Sequence, residues 1–365
     1  MSSEWSSEGG KPSNGGGVRC MLMRGGSSKG VYMLADDLPG DVSERDDLLL
    51  RLMGSPDERQ IDGLGGAHPL TSKVAVVGPS SRDDADVDYL FLQVFVDEPL
   101  VSDRQNCGNL LAGVGPFAIE RALVPAGEDT TAVRIHMVNT GELSISTVST
   151  PGRQVEYAGD TVIAGVPGAA APVVIDFPSR EGMLFPTGCV ANSFDGVDAT
   201  CVDDGMPVVV LRAADLGVTG NESCEELESN VSLRDRLERI RLGAGRAMGL
   251  GDVSKATVPK LSLVSAPMHG GSISTRTFIP RRCHTSIGVL AGASVAAACV
   301  VPGTVAHDLA ELAGASHSIE HPTGRLDVEV EVEVVDGDWV ATRTAVIRTT
   351  RKLLDGTAFA GPTRT

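Results

Sequence analysis

Aromatic side chains are scarce in this chain: two Trp, three Tyr and eight Phe make up 4% of its 365 residues. The core must then be filled by Val, Leu, Ile and Ala, a profile that leans towards strands. Positive charge is also short, with 31 Lys and Arg against 48 Asp and Glu, a formal net charge of -17. A nucleic-acid partner needs a basic footprint, and this field repels polyanions, so an anionic substrate must meet a locally positive pocket. No apolar run reaches the roughly 20 residues that span a bilayer, which excludes a membrane helix, and the most hydrophobic window, residues 286–301, reads as a buried helix. The seven cysteines (Cys20, Cys107, Cys189, Cys201, Cys224, Cys283, Cys299) show no CxxC spacing. An odd, scattered set without a signal peptide reads as reduced thiols, and so as a cytoplasmic chain. No His, Cys, Asp or Glu cluster has metal-ligand spacing, and neither a metal nor another cofactor is expected.

Glycine is plentiful instead, at 43 residues with 20 prolines, which favours many short turns. With 42% hydrophobic residues, the length is sufficient for two cores at about 100–200 residues per domain. Residues 1–17 are Ser- and Gly-rich and read as a disordered leader.

The chain says nearly the same thing twice. The run Gly30–Leu38, apolar and ending in an acidic turn, has the form of Pro207–Leu216, and Leu111-Ala-Gly113 has that of Leu290-Ala-Gly292. These landmarks are separated by almost one offset, 177 to 179 residues. Between them each half predicts a helix, capped by Ser43 and stopping at Gly54 in the first half, and marked by Leu233, Leu237 and Ile240 in the second. Each helix leads to a lysine opening an aliphatic strand, Lys73-Val-Ala-Val-Val77 and Lys260-Leu-Ser-Leu-Val264. Each half then gives a helix apolar all round, Leu110–Ala122 and the 286–301 window, which must be enclosed by protein. Strands are expected at Ala132–Val138 and Leu143–Val148, and from Leu326 to Val334, where alternating Asp and Glu predict one face in water. The fold class is α+β: two pseudo-symmetric domains, 18–185 and 186–365, each a curved, mostly antiparallel sheet around a buried helix, the last strand being free to return to the first domain.

Chemistry concentrates at the starts of the buried helices. Gln105-Asn106-Cys107-Gly108-Asn109 precedes the first, where unpaired N–H groups and a partial positive charge bind carboxylates and favour a thiolate; the plain alternative is a small buried hydrophobe. The offset sets Ser286 opposite Cys107, so the two thiols of a two-cysteine racemase are absent. Thr285 and Ser286 are expected to cap the second helix and donate to a substrate carboxylate. His284 is a candidate ligand or an ordinary turn residue. A lysine entering a buried strand is costly unless its charge is used, which favours Lys73 as general base or anion ligand over a snorkelling side chain, and Lys260 repeats the arrangement. Arg24-Gly-Gly-Ser-Ser-Lys29-Gly30 lacks Walker spacing and suits a carboxylate as well as a phosphate. Arg276, with Arg281 or Arg282, could supply further positive charge.

The motifs Met23–Gly30, Ile61–Gly66, Leu70–Ala75, Asn106–Asn109 and Pro259-Lys260 together resemble the PrpF-type isomerases of the diaminopimelate-epimerase-like fold, over residues 21–352. Within that family, Gly65–Lys73 and Val114–Glu120 are similar to the 4-oxalomesaconate tautomerases of gallate and protocatechuate breakdown. The resemblance implies a polycarboxylate held where both buried helices point their N-termini, with Lys73 and Cys107 at the acid/base positions and Lys73 the base. The candidate contacts to that acid are Arg24, Ser27, Ser72, Asn106, Gly108, Asn109, Lys260, Arg276, His284, Thr285 and Ser286. The expected reaction is a keto–enol or allylic proton shift; 2-methylaconitate isomerisation and non-catalytic polycarboxylate binding are the alternatives. The expected partner is a small polycarboxylate, with no nucleic acid or membrane, and with room for a homodimer.

Overall fold

The computed structural model describes residues 17–104, 106–178, 182–254 and 256–362. The expected leader and Gln105 lie outside the described residues, apart from Gly17. The chain divides into two compact units, one comprising the described residues up to Ile175 with those from Arg348 onward, the other Asp176–Ile347.

In the first unit the strands Val18–Gly25, Ser28–Leu34, Lys73–Pro79, Val87–Val94, Thr130–Met137 and Glu142–Ser149 lie side by side in chain order. Neighbours are antiparallel except Ser28–Leu34 with Lys73–Pro79 and Val87–Val94 with Thr130–Met137. Each parallel pair is separated in sequence by a helix, as a crossover requires: α1 (Val42–Met53) in the first case, α2 (Gly108–Glu120) in the second. The far edge strand, Val18–Gly25, pairs antiparallel with the end of Asp338–Ala358. The two helices cover opposite sheet faces. Leu48, Leu49, Leu52 and Met53 of α1 pack on Val31, Met33, Val74, Val76, Leu90 and Leu92. Residues Leu110 to Ile119 of α2 are all buried, and the helix packs against all six strands. Full burial of side chains such as Leu110, Leu111 and Phe117 contributes about 1.5–3 kcal/mol each. This matches the expected curved sheet around a helix apolar on every side.

In the second unit, Asn192–Phe194, Val197–Asp203, Pro207–Arg212, Lys260–Ser265, Ile273–Phe278, Ser316–His321 and Gly324–Val335 are again neighbours in chain order, followed by Asp338 onward. The short α3 (Cys224–Ser229) and α4 (Val231–Ala247) cover one face, and α5 (Val289–Val300) packs on the strands of the other. Leu233, Leu237 and Ile240 of α4 are buried, as their spacing requires.

Three expectations need correction. Asp41, not Ser43, caps α1, its carboxylate accepting from the N–H groups of Ser43 and Glu44, while Gly54 does end the helix in the left-handed region. The helix starts two residues earlier than expected, so the carboxylate of Asp41 takes the orphan donors of Ser43 and Glu44, and Ser43 enters the first turn. On Gly324–Val335 the alternation holds for Leu326, Val328 and Val330, but Val334 is 56% exposed because the hairpin with Asp338 runs past its core. At α5 the cap is Gly288 and the helix starts at Val289, so Thr285 and Ser286 lie before it. The imidazole Nδ1 of His284 accepts the Ser286 N–H, which fixes a turn there and delays the helix.

Candidate functional site

The strand Val87–Val94 holds the first unit's chemistry in place. Tyr89, Phe91 and Gln93 are spaced by two and share one face of it. Gln93 stands opposite Lys73 in antiparallel register and its amide oxygen accepts from Lys73 Nζ at 2.8 Å. The Gln93 amide nitrogen donates to the carbonyls of Pro69 and Ser72, which fixes which end faces the lysine. The centroid of the Phe91 ring lies 4.9 Å from the same nitrogen. Lys73 is 7% exposed, and among the described residues its partners are an amide and a ring, not a carboxylate. A buried lysine without a counter-ion is placed to meet an anion or to take part in proton transfer.

Tyr89 OH donates to the Cys107 carbonyl at 3.3 Å, and Tyr32 OH to the Leu110 carbonyl at 2.6 Å. Burial, reinforced by charge at Cys107, holds both phenols well above their usual pKa, so they remain donors. They fix the first turn of α2. Cys107 is the cap residue of α2, yet its side chain makes no capping bond, which leaves the first-turn N–H groups from Gly108 onward to an incoming anion. Cys107 is 8% exposed. Asn106 accepts the Cys107 N–H on its side-chain oxygen and directs its amide at Met137 Sδ.

The Arg24–Gly30 segment is a hairpin whose turn, Gly26-Ser27, presses on the start of α2. Gly26 has φ +52, and a Cβ there would lie 2.3 Å from Asn109 Oδ1. Gly30 is as confined, since a Cβ would meet the Lys73 carbonyl at 2.8 Å. Asn109 donates to the hydroxyls of Ser27 and Ser28 at 3.2 and 3.4 Å, and Ser27 is exposed. Arg24 donates to the Gly26 and Thr349 carbonyls, and burial followed by the nearby Arg351 charge pulls its pKa down. Its role here is to shape the turn. Ser72 is fully buried, its hydroxyl accepting from Gln60. Gln60 also accepts the Ala67 N–H and so ties the Gly-rich turn to the start of the Lys73 strand.

The second unit repeats the frame without the same chemistry. Val31 pairs with Val74 in parallel, and Val209 with Leu261, so Lys260 is the structural counterpart of Lys73. Because Leu261 pairs with Phe278, Ile279 comes next where the first unit has Gln93. Lys260 is half-buried, and burial, then the Arg241 charge, lowers its pKa. A base with a lowered folded pKa costs stability while protonated, and the fold regains it as pH rises from that pKa towards 10.5. Lys260→Met should therefore raise the melting temperature at pH 7 and flatten its rise as pH approaches 10.5, in melts followed by circular dichroism. A lower melting temperature at pH 7 would reject this account.

Arg276 donates to the Glu222 and Thr275 carbonyls. His284 Nδ1 is an acceptor, Thr285 is exposed, and the Ser286 hydroxyl lies 3.4 Å from His321 Nε2. The structure thus joins Lys73 and Ser72 through Gln93, and Ser27 and Asn109 through the hairpin, and places Arg276, His284, Thr285 and Ser286 in the second unit. Arg281 and Arg282 face Glu238 and Glu228. Gln93, Tyr89 and Tyr32 were not foreseen; the signal available was Tyr89 and Gln93 on one face of an otherwise mostly apolar strand. All seven cysteines are free thiols. Among the described residues no helix is long and apolar enough to cross a membrane.

The family model described as PrpF protein matches residues 17–360. A 4-oxalomesaconate tautomerase from Pseudomonas putida KT2440 is 54% identical over 353 residues, covering 94% of this chain and 96% of that protein. A (4E)-oxalomesaconate Delta-isomerase from Novosphingobium sp. KA1 is 53% identical over 347 residues, covering 93% and 96%. The crystal structure of a methylitaconate-delta-isomerase superposes with a TM-score of 0.85 at 35% identity, covering 95% of this chain and 96% of that one.

Proposed function

We propose, for a chain that belongs to the PrpF family, an isomerase that moves a proton on 4-oxalomesaconate. The observation that carries this reading is Lys73, buried against Gln93 and Phe91 with no carboxylate partner among the described residues, on the sheet that packs α2 and its uncapped first turn. Relatives named for 4-oxalomesaconate at 54% and 53% identity support the substrate.

A proton on carbon next to a carbonyl or its vinylogue is too weakly acidic to leave unaided. Lys73, as the free amine, takes it and becomes an ammonium, and the dienolate charge is stabilised by preorganised N–H donors at the start of α2. Cys107, at that helix tip, returns the proton at the far carbon or holds the substrate while solvent does so. The names of the two relatives distinguish two outcomes, a keto–enol tautomerisation and an allylic shift. Incubating purified protein with 4-oxalomesaconate in deuterated water separates them. An allylic shift leaves deuterium on the carbon that receives the proton, seen by proton NMR, with a matching ultraviolet change. No ultraviolet or NMR change at micromolar enzyme would end the proposal.

A further inference from the structure

Two free thiols of the second unit lie against each other, and the proposed reaction uses neither. Cys224 opens the short α3, and Cys283 lies in the segment before α5. Their sulfurs converge on one acceptor, the His284 carbonyl oxygen, at 3.6 Å from Cys224 Sγ and 4.0 Å from Cys283 Sγ. Burial, then a hydrogen bond donated to Cys224 and the charge of that thiol, pushes the Cys283 thiol up. The two form a short relay, Cys283 donating to Cys224 and Cys224 to the carbonyl.

Backbone and charge contacts that do not involve sulfur hold the two segments together. Glu228, on α3, accepts the Cys283 N–H at 3.0 Å and lies 3.8 Å from Arg282 Nε. Cys283 is also bridged to Phe278 of the neighbouring strand. Cys224 is half-buried between exposed Ser223 and Glu225, whereas Cys283 is 7% exposed. The remaining thiols of this unit are placed differently. Cys201 and Cys299 have no exposed surface, and burial pushes each up to about 12, the setting of an inert thiol. Cys189 is exposed. Among the described residues no other two thiols share a hydrogen-bond partner.

We propose that Cys224 and Cys283 are a redox-modification site, closed to a disulfide by hydrogen peroxide and reopened by a dithiol. Cys224, the sulfur nearer to solvent, attacks one peroxide oxygen; the O–O bond breaks, water leaves and Cys224 carries a sulfenic acid. The Cys283 sulfur then displaces the sulfenic oxygen. The S–S bond forms as the S–O bond breaks, and hydroxide departs with the Cys283 thiol proton as a second water. The two thiols give up two electrons, which the peroxide takes. Closure ties α3 to the segment that carries His284 and Ser286 and removes both S–H groups from beside the His284 carbonyl. In a reducing compartment such a bond is transient and follows the oxidant.

The test exposes the full, folded, reduced chain to hydrogen peroxide, blocks remaining thiols with iodoacetamide and maps peptides by mass spectrometry without reductant. The Cys224 and Cys283 peptides should appear as one species, lighter by two hydrogen atoms than their sum and separated again by dithiothreitol. It should form at least about tenfold faster than any oxidation at Cys201 or Cys299. In Cys283→Ser, dimedone should label Cys224; in Cys224→Ser, Cys283 should stay a thiol. Cys189 controls for exposure alone, since it should oxidise without joining the pair. A Cys224–Cys283 link that forms only in urea would overturn the site, as would Cys224 passing on to sulfinic acid in wild type while Cys283 stays a thiol. Preferential dimedone labelling of Cys283 would overturn the order of attack. The wild-type map decides the matter by itself if either variant fails to fold. Turnover of 4-oxalomesaconate plays no part in the readout, so the site stands or falls apart from the proposed reaction.

Discussion

Lys73→Met lowers kcat for 4-oxalomesaconate by about 10²–10⁴-fold, the range that a positioned general base supplies. Methionine keeps the apolar stem of the side chain while removing the nitrogen that faces the Phe91 ring. It removes the donor to Gln93, leaving a buried amide oxygen unpaired at about 1–3 kcal/mol. For a unit of this size that is a fall in melting temperature of about 2–12 °C, too little to unfold it at assay temperature. Circular dichroism checks the fold and single-turnover kinetics the chemistry. A kcat within threefold of wild type in a folded variant would remove Lys73 from the mechanism. If Lys73 served only as an anion ligand, KM would rise while kcat at saturation stayed near normal, so the split between the two constants is itself informative.

The largest effect on stability is expected at Arg241→Met. Arg241, on α4, has no exposed surface and donates to both oxygens of Glu238 at 2.8 and 2.9 Å. It also donates to the Val253, Val258 and Ala256 carbonyls at 2.9, 3.1 and 3.3 Å. One side chain thus holds in place the irregular segment that leads into Lys260. Removing one member of a buried pair costs about 3–5 kcal/mol, which predicts a melting temperature lower by about 6–20 °C. The Arg241 hydrogen bond, against the opposing effect of burial, pulls the Glu238 pKa below the usual carboxylate range. A depressed carboxylate stabilises the fold above its unfolded pKa, and the contribution is lost as pH falls through the folded value. The variant should therefore lose less stability than wild type between pH 5 and 3. A loss under 1 kcal/mol at pH 7 in urea would show that the segment holds without this arginine.

The duplicated frame was legible because it is written in burial. Leu111-Ala-Gly113 and Leu290-Ala-Gly292 lie in largely buried helices made of small and apolar side chains, and the two lysines open strands in equivalent registers. What escaped notice was polar contact inside an element. Gln93 and Tyr89 read as ordinary strand residues until the register sets one against Lys73 and the other under Cys107. Arg241 reads as one more charge on a charged helix, although it follows Leu237 by four and so falls on the buried stripe. The helix starts at Asp41 and Gly288 were misplaced because several Ser, Thr and Asp near a start can cap it, and backbone geometry chooses among them.

The strand Val18–Gly25 has one neighbour that arrives at once, across the two-residue turn, and another, Thr350–Ala358, that arrives some 340 residues later. A growing polypeptide leaving the ribosome thus carries an open β-edge, rich in methionine and leucine, until Thr350–Ala358 has been translated. Completion of the first unit waits on synthesis of the second, and cutting the gene at the midpoint would yield a fragment prone to pair with copies of itself.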